Sequence, residues 1–342
     1  MPASKHTFLF ATLTVSLLLL FVLNIALGSV SIPFGEVIQS LFGESASKKT
    51  WEYIIINYRL PKAITAVMAG TGLAISGLLM QTLFRNPLAG PYVLGLSSGS
   101  SLGVAAILLG SAILPGVLVP IALSQYGIVL ASCIGSFMVM IAVLVVSQKL
   151  RDTMAILIVG LMFGSFTSAI VGALSYFSSA EQLQRFTFWA MGNLGNLSWI
   201  SIAILSTAVI IGLILSFSCI KPLNALLLGE NYARSLGINI KRTQLVIIIA
   251  TSILAGSITA FAGPIAFIGL AVPHIAKLVF QTSSHTILFW ATILSGAIIM
   301  LLCDIISQLP GSDLTLPINA VTSIVGAPVV IWLLVSKRKL AS

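Results

Sequence analysis

The sequence is poor in charge, because only 7% of its 342 residues are Asp, Glu, Lys or Arg, whereas soluble domains carry about a quarter. It has three cysteines, too few for a disulfide scaffold. Hydrophobic residues make up 58% of the chain, and no soluble fold could bury so much apolar surface. The composition therefore excludes a soluble domain, a disordered chain and a nucleic-acid-binding protein. The expected solvent is a lipid bilayer.

Long apolar runs take the place of the missing charges, and each approaches the ~20 residues that a membrane-spanning helix needs. We therefore predict an all-α polytopic membrane protein with ten transmembrane helices, in which residues 1–342 form a single transmembrane domain. The third and eighth spans are short and rich in Gly and Pro. The ten predicted spans are residues 8–27, 62–84, 93–110, 125–147, 154–176, 199–219, 244–262, 265–280, 286–307 and 317–336.

The positions of the basic residues indicate how these spans are oriented. If both termini are cytoplasmic, 12 of the 17 Lys and Arg residues lie on the inner side and 5 on the outer side. Cytoplasmic loops of membrane proteins carry such an excess of Lys and Arg. Nine or eleven spans would instead place the basic cluster at residues 337–339 outside the cell.

Ionisable residues inside the predicted spans are scarce, and Asp304 is the main one. Ion-coupled carriers use intramembrane acids and bases as relays, so an ion-coupled secondary transporter with Asp304 as its relay is the alternative function. A membrane-embedded enzyme is a third interpretation, but no converging His, Asp and Glu residues support it. The sequence also lacks the G-x-x-x-x-G-K-[ST] phosphate loop, so the energy for transport is expected from another chain.

Three segments depart from plain apolar helix. Residues 86–91 (NPLAGP) cannot form regular helix, because each proline lacks an N–H and restricts the residue before it. Small residues recur every four positions in the fifth predicted span, a spacing that by itself favours helix packing over a pore lining. Residues 221–242 (KPLNALLLGENYARSLGINIKR) are too polar to span the membrane, and predict two short helices that rest on lipid headgroups or dock a cytoplasmic partner.

These segments resemble the signature segments of the FecCD family, the permease subunits of ABC importers for iron–siderophores, haem and vitamin B12. The resemblance keeps the same order over nearly the whole chain, from about residue 8 to residue 336. It is carried by residues 59–103, 221–242, 263–277 (GPIAFIGLAVPHIAK) and 316–334 (LPINAVTSIVGAPVVIWLL).

The resemblance implies a type II ABC importer permease fold and a large assembly. Expected partners are a second permease subunit, most simply in a homodimer, two cytoplasmic ATP-binding subunits, and a periplasmic or lipid-anchored substrate-binding protein. It also implies a multi-pass protein of the bacterial inner (plasma) membrane with both termini in the cytoplasm. No catalytic residue, cofactor or metal site is expected, and the cargo stays open among siderophore, haem and cobalamin.

The resemblance further assigns roles to individual residues. The cytoplasmic gate is expected at Asn86, Leu88, Asp152 and Thr153. The small residues of the fifth span become the expected pore lining, namely Gly160, Gly164, Ser168 and Gly172. Coupling to the ATPase is expected within 221–242, at Leu226, Gly229, Glu230, Ala233, Arg234, Leu236 and Gly237. The basic residues expected to dock the binding protein are Arg59 and Lys62.

The chain departs from the family members that import vitamin B12 at two positions. It has Gln308 where they carry a further basic residue, and Thr315 where they carry an acid. The docking contacts are therefore expected to differ from theirs.

Overall fold

A computed structural model describes residues 3–44, 46–111, 116, 119–149, 153–195, 197–309 and 314–340. These described residues form helices and turns without a β-strand, which confirms the all-α prediction for this part of the chain. The helices are α1 (Ala3–Ala26), α2 (Phe34–Leu41), α3 (Lys49–Ile54), α4 (Leu60–Leu83), α5 (Leu96–Leu108), α6 (Val119–Ala122), α7 (Gln125–Lys149), α8 (Thr153–Tyr176), α9 (Ala180–Ala190), α10 (Trp199–Ser218), α11 (Ile220–Leu227), α12 (Glu230–Ser235), α13 (Ile240–Ala262), α14 (Ile268–Phe280), α15 (His285–Ser307) and α16 (Ile318–Leu340).

Within the described residues, seven helical stretches are long and apolar enough to cross a membrane. They are Lys5–Ala26, Lys49–Leu83, Gln125–Val146, Ala155–Tyr176, Trp199–Ser218, Ile240–Ala262 and His285–Ser307. Three shorter apolar helices, at Leu96–Leu108, Ile268–Phe280 and Ile318–Trp332, coincide with the remaining predicted spans. The chain is thus a multi-pass helical protein, and the count of ten spans stays a prediction.

The chain divides into two compact units. The first unit comprises Met1–Ala74, Asn193–Thr207 and Ile265–Ser342. The second unit comprises Ile75–Gly192 and Ala208–Pro264, and it contains the 221–242 segment. The sequence prediction of one domain over residues 1–342 stays a prediction.

In the first unit, α15 packs against α1, α14 and α16, and α14 also packs against α16. Gly70 and Gly296 bring the backbones of α4 and α15 together, since a Cβ atom at Gly296 would lie 2.5 Å from the Gly70 carbonyl oxygen. Ala66 and Ala74, one turn to either side of Gly70, are fully buried. The four-residue spacing of small residues in α4 therefore serves helix packing.

In the second unit, helices α5, α7, α8 and α13 pack against one another. A Cβ atom at Gly99 of α5 would lie 2.6 Å from the Gly135 carbonyl oxygen of α7. One turn further along α5, a Cβ atom at Gly103 would collide with the Ala131 carbonyl oxygen. Small residues let backbones approach closely in a membrane, so this interface has no room for a larger side chain.

Two irregular stretches interrupt the helices near α4. Before it, α3 continues through a π-helical turn at Ile55–Arg59, so the predicted second span belongs to a longer helix that begins at Lys49. After it, residues 86–90 form turns and Pro91–Leu94 form a short 3-10 helix that ends at Gly95 with φ +77°. The predicted break at the two prolines is confirmed.

Candidate functional site

The 221–242 segment folds as two short helices punctuated by glycines, as the sequence predicted. Gly229 separates α11 from α12 with φ +113°, and Gly237 ends the second helix with φ +78°. Residues with a side chain rarely adopt these angles, so both turns need glycine. Leu226 and Ala233 are buried together with Ala225 and packed by Ile238, which fixes the angle between the two helices. Leu226 and Ala233 therefore shape the segment from within.

Four large side chains of this segment are exposed and are here called the apolar patch: Leu227, Leu228, Tyr232 and Leu236. Leu228 is 67% exposed and Leu236 is 58% exposed, although each is large and hydrophobic. Beside it, Arg234 pairs with Glu230 at 3.8 Å, and both side chains are exposed. An exposed apolar patch rimmed by charge is typical of a protein interface.

The predicted gate residues lie at two places. Asn86 follows the end of α4, and its Oδ1 accepts a hydrogen bond from the Leu88 backbone N–H at 2.9 Å. This bond fixes the turn and leaves the Leu88 side chain exposed. Thr153 is the first residue of α8, and Asp152 lies outside the described residues. The gate itself stays a prediction.

The small-residue stripe of α8 is divided between two environments. Gly160 is buried against the turn before α5, where a Cβ atom at Gly95 would lie 3.0 Å from the Gly160 carbonyl oxygen. Gly164 faces Ser98 of α5. Ser168 and Gly172 are exposed, and a Cβ atom at Gly172 would meet nothing within 4 Å. The first half of the stripe packs, and only the second half is open to line a path.

Arg59, the first of the two predicted docking residues, is buried and caps the C-terminus of α1. Its Nη1 donates to the carbonyl oxygens of Ile25 at 2.9 Å and Ala26 at 2.7 Å, and its Nη2 donates to that of Val30. The last carbonyls of a helix have no partner within the helix, and a cation there also complements the helix dipole. Gly28 leaves the room for this guanidinium, since a Cβ atom there would lie 2.8 Å from Nη2.

Lys62, the second, pairs with Asp304 of α15 at 3.1 Å. The Lys62 side chain is 20% exposed, whereas that of Asp304 is 1% exposed. The other Asp304 oxygen, Oδ2, accepts hydrogen bonds from Asn24 Nδ2 and Gln308 Nε2, both at 2.9 Å. A buried carboxylate is stable only when it is paired and hydrogen-bonded, and here each oxygen has a partner. This geometry gives Asp304 a fixed structural partner set, and none of it favours a relay.

A cavity of about 300 Å³ in the first unit lies against both basic residues. Tyr58 and Ile54 form part of its wall, and Gln308 and Thr315 also line it. Of the pair, Lys62 is the cation with an exposed portion, and the Arg59 guanidinium is committed to backbone carbonyls. The docking role of both residues stays a prediction.

A comparison with protein families decides what kind of protein carries these features. The model of the FecCD transport family matches residues 16–336. The chain belongs to the FecCD transport family. That membership confirms the resemblance given by the four sequence segments.

Individual relatives of the FecCD family agree with this assignment. The haemin transport system permease protein HmuU of Yersinia pestis is 33% identical over 329 residues, which cover 96% of each chain. The vitamin B12 import system permease protein BtuC of Klebsiella pneumoniae is 34% identical over 333 residues, covering 95% of this chain and 93% of that protein. The chain is therefore a transport subunit and not an enzyme, as predicted.

A solved structure of a metal-chelate type ABC transporter in an inward-facing conformation has the same fold. It matches with a TM-score of 0.82 and 28% sequence identity, covering 97% of this chain and 99% of that chain.

Two features of the candidate sites could not be predicted, or were not predicted, from the sequence. The capping role of Arg59 could not be read from its motif, because its partners are backbone carbonyls of a distant helix end. The exposed residues Leu227, Leu228 and Tyr232 lie between the motif positions. For Leu227 and Leu228 the signal was present, since an apolar run that is too long for one buried helical face must leave some members outside. Among the described residues, no group of three or more His, Cys, Asp or Glu could hold a metal ion.

Proposed function

We propose that the chain is the transmembrane subunit of a binding-protein-dependent ABC importer that moves a metal chelate into the cytoplasm. The cargo is an iron–siderophore, haem or a cobalamin-type molecule. The observation that carries the proposal is the family match over residues 16–336, supported by relatives that import haemin and vitamin B12. These two cargoes share a large, flat ligand around a metal ion, which suits a wide and weakly adhesive path.

The proposed assembly has two copies of this chain, two cytoplasmic ATP-binding subunits and one extracytoplasmic binding protein. The chain crosses the bacterial inner membrane ten times with both termini in the cytoplasm. The excess of basic residues on the inner side supports this orientation.

Coupling is assigned to the 221–242 segment. The apolar patch fits an apolar groove on the ATP-binding subunit, and the rigid angle between α11 and α12 transmits the motion of that subunit. Glu230 and Arg234 lie at the rim of this contact, where charge sets the register. Leu226, Ala233, Gly229 and Gly237 hold the shape of the segment.

The path and its ends are assigned to the remaining predicted residues. The exposed part of α8, at Ser168 and Gly172, lines the path, whereas Gly160 and Gly164 support it through packing. The turn at Asn86 and Leu88, together with Asp152 and Thr153, forms the cytoplasmic gate. Lys62 receives an acidic residue of the binding protein directly, and Arg59 contributes by holding the end of α1 in place.

Uptake into proteoliposomes tests the proposal. The chain is reconstituted with its ATP-binding subunit, and the binding protein is added outside. Uptake of haem, a ferric hydroxamate siderophore and cyanocobalamin is measured separately, with ATP or a non-hydrolysable analogue at the ATP-binding face. We expect one of the three to accumulate only when both ATP and the binding protein are present. Accumulation that ignores the binding protein would contradict the proposal.

Arg234→Ala tests the coupling assignment. An exposed ion pair contributes about 0–1 kcal/mol, so the variant should fold normally. We expect uptake to fall at least tenfold while ATP hydrolysis continues. Arg185→Ala is the matched control, because Arg185 forms the same kind of exposed pair with Glu181 at 2.8 Å, outside the coupling segment. Equal uptake by the two variants would remove Arg234 from the coupling element.

A further inference from the structure

A groove of about 570 Å³ runs between α7 and α13 in the second unit. Small-molecule sites in proteins have volumes of roughly 300–1,000 Å³, so it is large enough for a ligand. Phe137 and Ile141 are exposed at its rim. The residues that line it are Cys133, Ser136, Phe137, Met140, Ile141, Leu144, Ile249, Ser252, Ile253, Gly256 and Ser257.

Glycine gives the groove its depth. A Cβ atom at Gly256 would lie 2.9 Å from the Ser136 Oγ, so a larger residue on α13 would fill the floor. The Ser257 hydroxyl donates to the Ile253 carbonyl oxygen at 2.6 Å and offers little polarity to the groove. The Ser252 Oγ is buried and has no hydrogen-bond partner among the described residues. Apart from that atom the lining is almost wholly hydrocarbon.

The position of the groove suits a hydrocarbon ligand. Both walls belong to helices that are long and apolar enough to cross a membrane. A groove lined by apolar side chains does not hold water well, because water needs several polar partners. The medium that surrounds such helices in a bilayer is the acyl chains of lipids.

Charge at one end of the groove specifies the kind of lipid. Arg242 lies seven residues before Ile249 on α13, which places both on one face about 10 Å apart along the helix axis. Arg242 and its neighbour Lys241 are both exposed. Basic residues beside a transmembrane groove attract anionic headgroups. A second copy of this basic chain would instead bring like charge to the same place.

We propose that the groove between α7 and α13 binds one anionic phospholipid. One acyl chain lies between Met140 and Ile253 over Gly256, and the phosphate lies beside Arg242 and Lys241. Its basic end belongs to the 221–242 segment, and the binding of lipid does not depend on which cargo is transported.

Native mass spectrometry of the full-length chain in detergent tests this proposal. The protein is titrated with dioleoylphosphatidylglycerol, and in parallel with dioleoylphosphatidylcholine, which has the same acyl chains and no net charge. We expect one phosphatidylglycerol to bind at least tenfold more tightly than phosphatidylcholine. Arg242→Ala should weaken that binding about fivefold, the effect of one basic residue near an anionic headgroup.

Two groove-filling variants keep the test independent of any one substitution. Gly256→Leu fills the floor, and Ile141→Trp fills the groove from its exposed rim; each should abolish the tight phosphatidylglycerol site. Ser252→Ala, which leaves the volume unchanged, should bind as the original chain does. Gly172→Leu adds the same side chain on α8 and should also bind normally.

Three results would overturn the proposal. Equal affinity for the two lipids would remove the role of the basic residues. Unchanged binding in both groove-filling variants would place the lipid elsewhere. A disulfide between two copies of Ile141→Cys, formed in membranes, would show that a second copy covers the groove.

Discussion

In the first unit, charged and amide side chains join the helices in addition to the backbone contact at Gly70 and Gly296, whereas in the second unit α5 and α7 meet at small residues. Lys62, Asn24 and Gln308 converge on Asp304 and connect α4 and α1 with α15. Gly99 and Gly135 press α5 onto α7. Helices in lipid lack a hydrophobic drive to associate, so polar bonds and close packing are the two means available.

Polar networks and close backbone contacts are sensitive to different substitutions. A polar network tolerates changes of shape but not the loss of one charge, because the remaining charge is then buried without a partner. A backbone contact tolerates changes of charge but not added volume, because the backbone cannot move aside. The Asp304 network of the first unit should therefore respond to isosteric neutral substitutions, and the α5–α7 interface of the second unit to enlarged side chains.

The largest expected effect is that of Lys62→Met, which leaves Asp304 buried with only two amide donors. We expect a loss of about 3–5 kcal/mol in the free energy of unfolding, measured by SDS titration in mixed micelles. The double variant Lys62→Met with Asp304→Leu should recover most of the loss, because it removes both charges. A double variant as unstable as the single one would show that the pair is not the source of the effect.

Gly135→Leu should have the next largest effect, a loss of about 3 kcal/mol in the free energy of unfolding. The leucine side chain would meet the Gly99 backbone and has no space to occupy. The same titration measures it, with Gly172→Leu as the control on a neighbouring helix. Stability equal to that of the control would mean that α5 and α7 are not in backbone contact.

Arg59→Lys should lower the free energy of unfolding by about 1–2 kcal/mol, because hydrogen bonds to backbone carbonyls are lost. Lysine keeps the charge, but a single ammonium cannot reproduce the fork that reaches Ile25, Ala26 and Val30. Hydrogen exchange at the C-terminal turn of α1 should rise in the variant and stay unchanged in α13. Equal protection of the C-terminal turn of α1 in the variant and in the original chain would show that Arg59 does not cap this helix.

The smallest effect on stability is expected for Gly172→Leu, below about 0.5 kcal/mol, because the added side chain meets nothing within 4 Å. Uptake should nevertheless fall, since the leucine would narrow the proposed path. Gly164→Leu should behave oppositely and lose stability, because Gly164 faces Ser98. A loss of stability in both glycine variants would show that the whole small-residue stripe of α8 serves helix packing.

The sequence predicted the helices better than it predicted what joins them. Span positions follow from apolar runs of a set length, and the breaks at residues 86–91, Gly229 and Gly237 follow from local backbone chemistry. The partnership of Lys62 with Asp304 could not be predicted, because it depends on which helices become neighbours. The division of the α8 stripe had no local signal either, since Gly160 and Gly172 look alike in the sequence.

The energy source of uptake tests most directly whether the chain is a subunit of an ATP-driven importer. Proteoliposomes holding the chain and its ATP-binding subunit are given the binding protein and the preferred cargo, first with ATP and a protonophore, then with an imposed proton gradient and no ATP. We expect full uptake under the first condition and none under the second. Uptake driven by the proton gradient alone would contradict an ATP-driven importer, and Asp304 would then be the candidate proton relay.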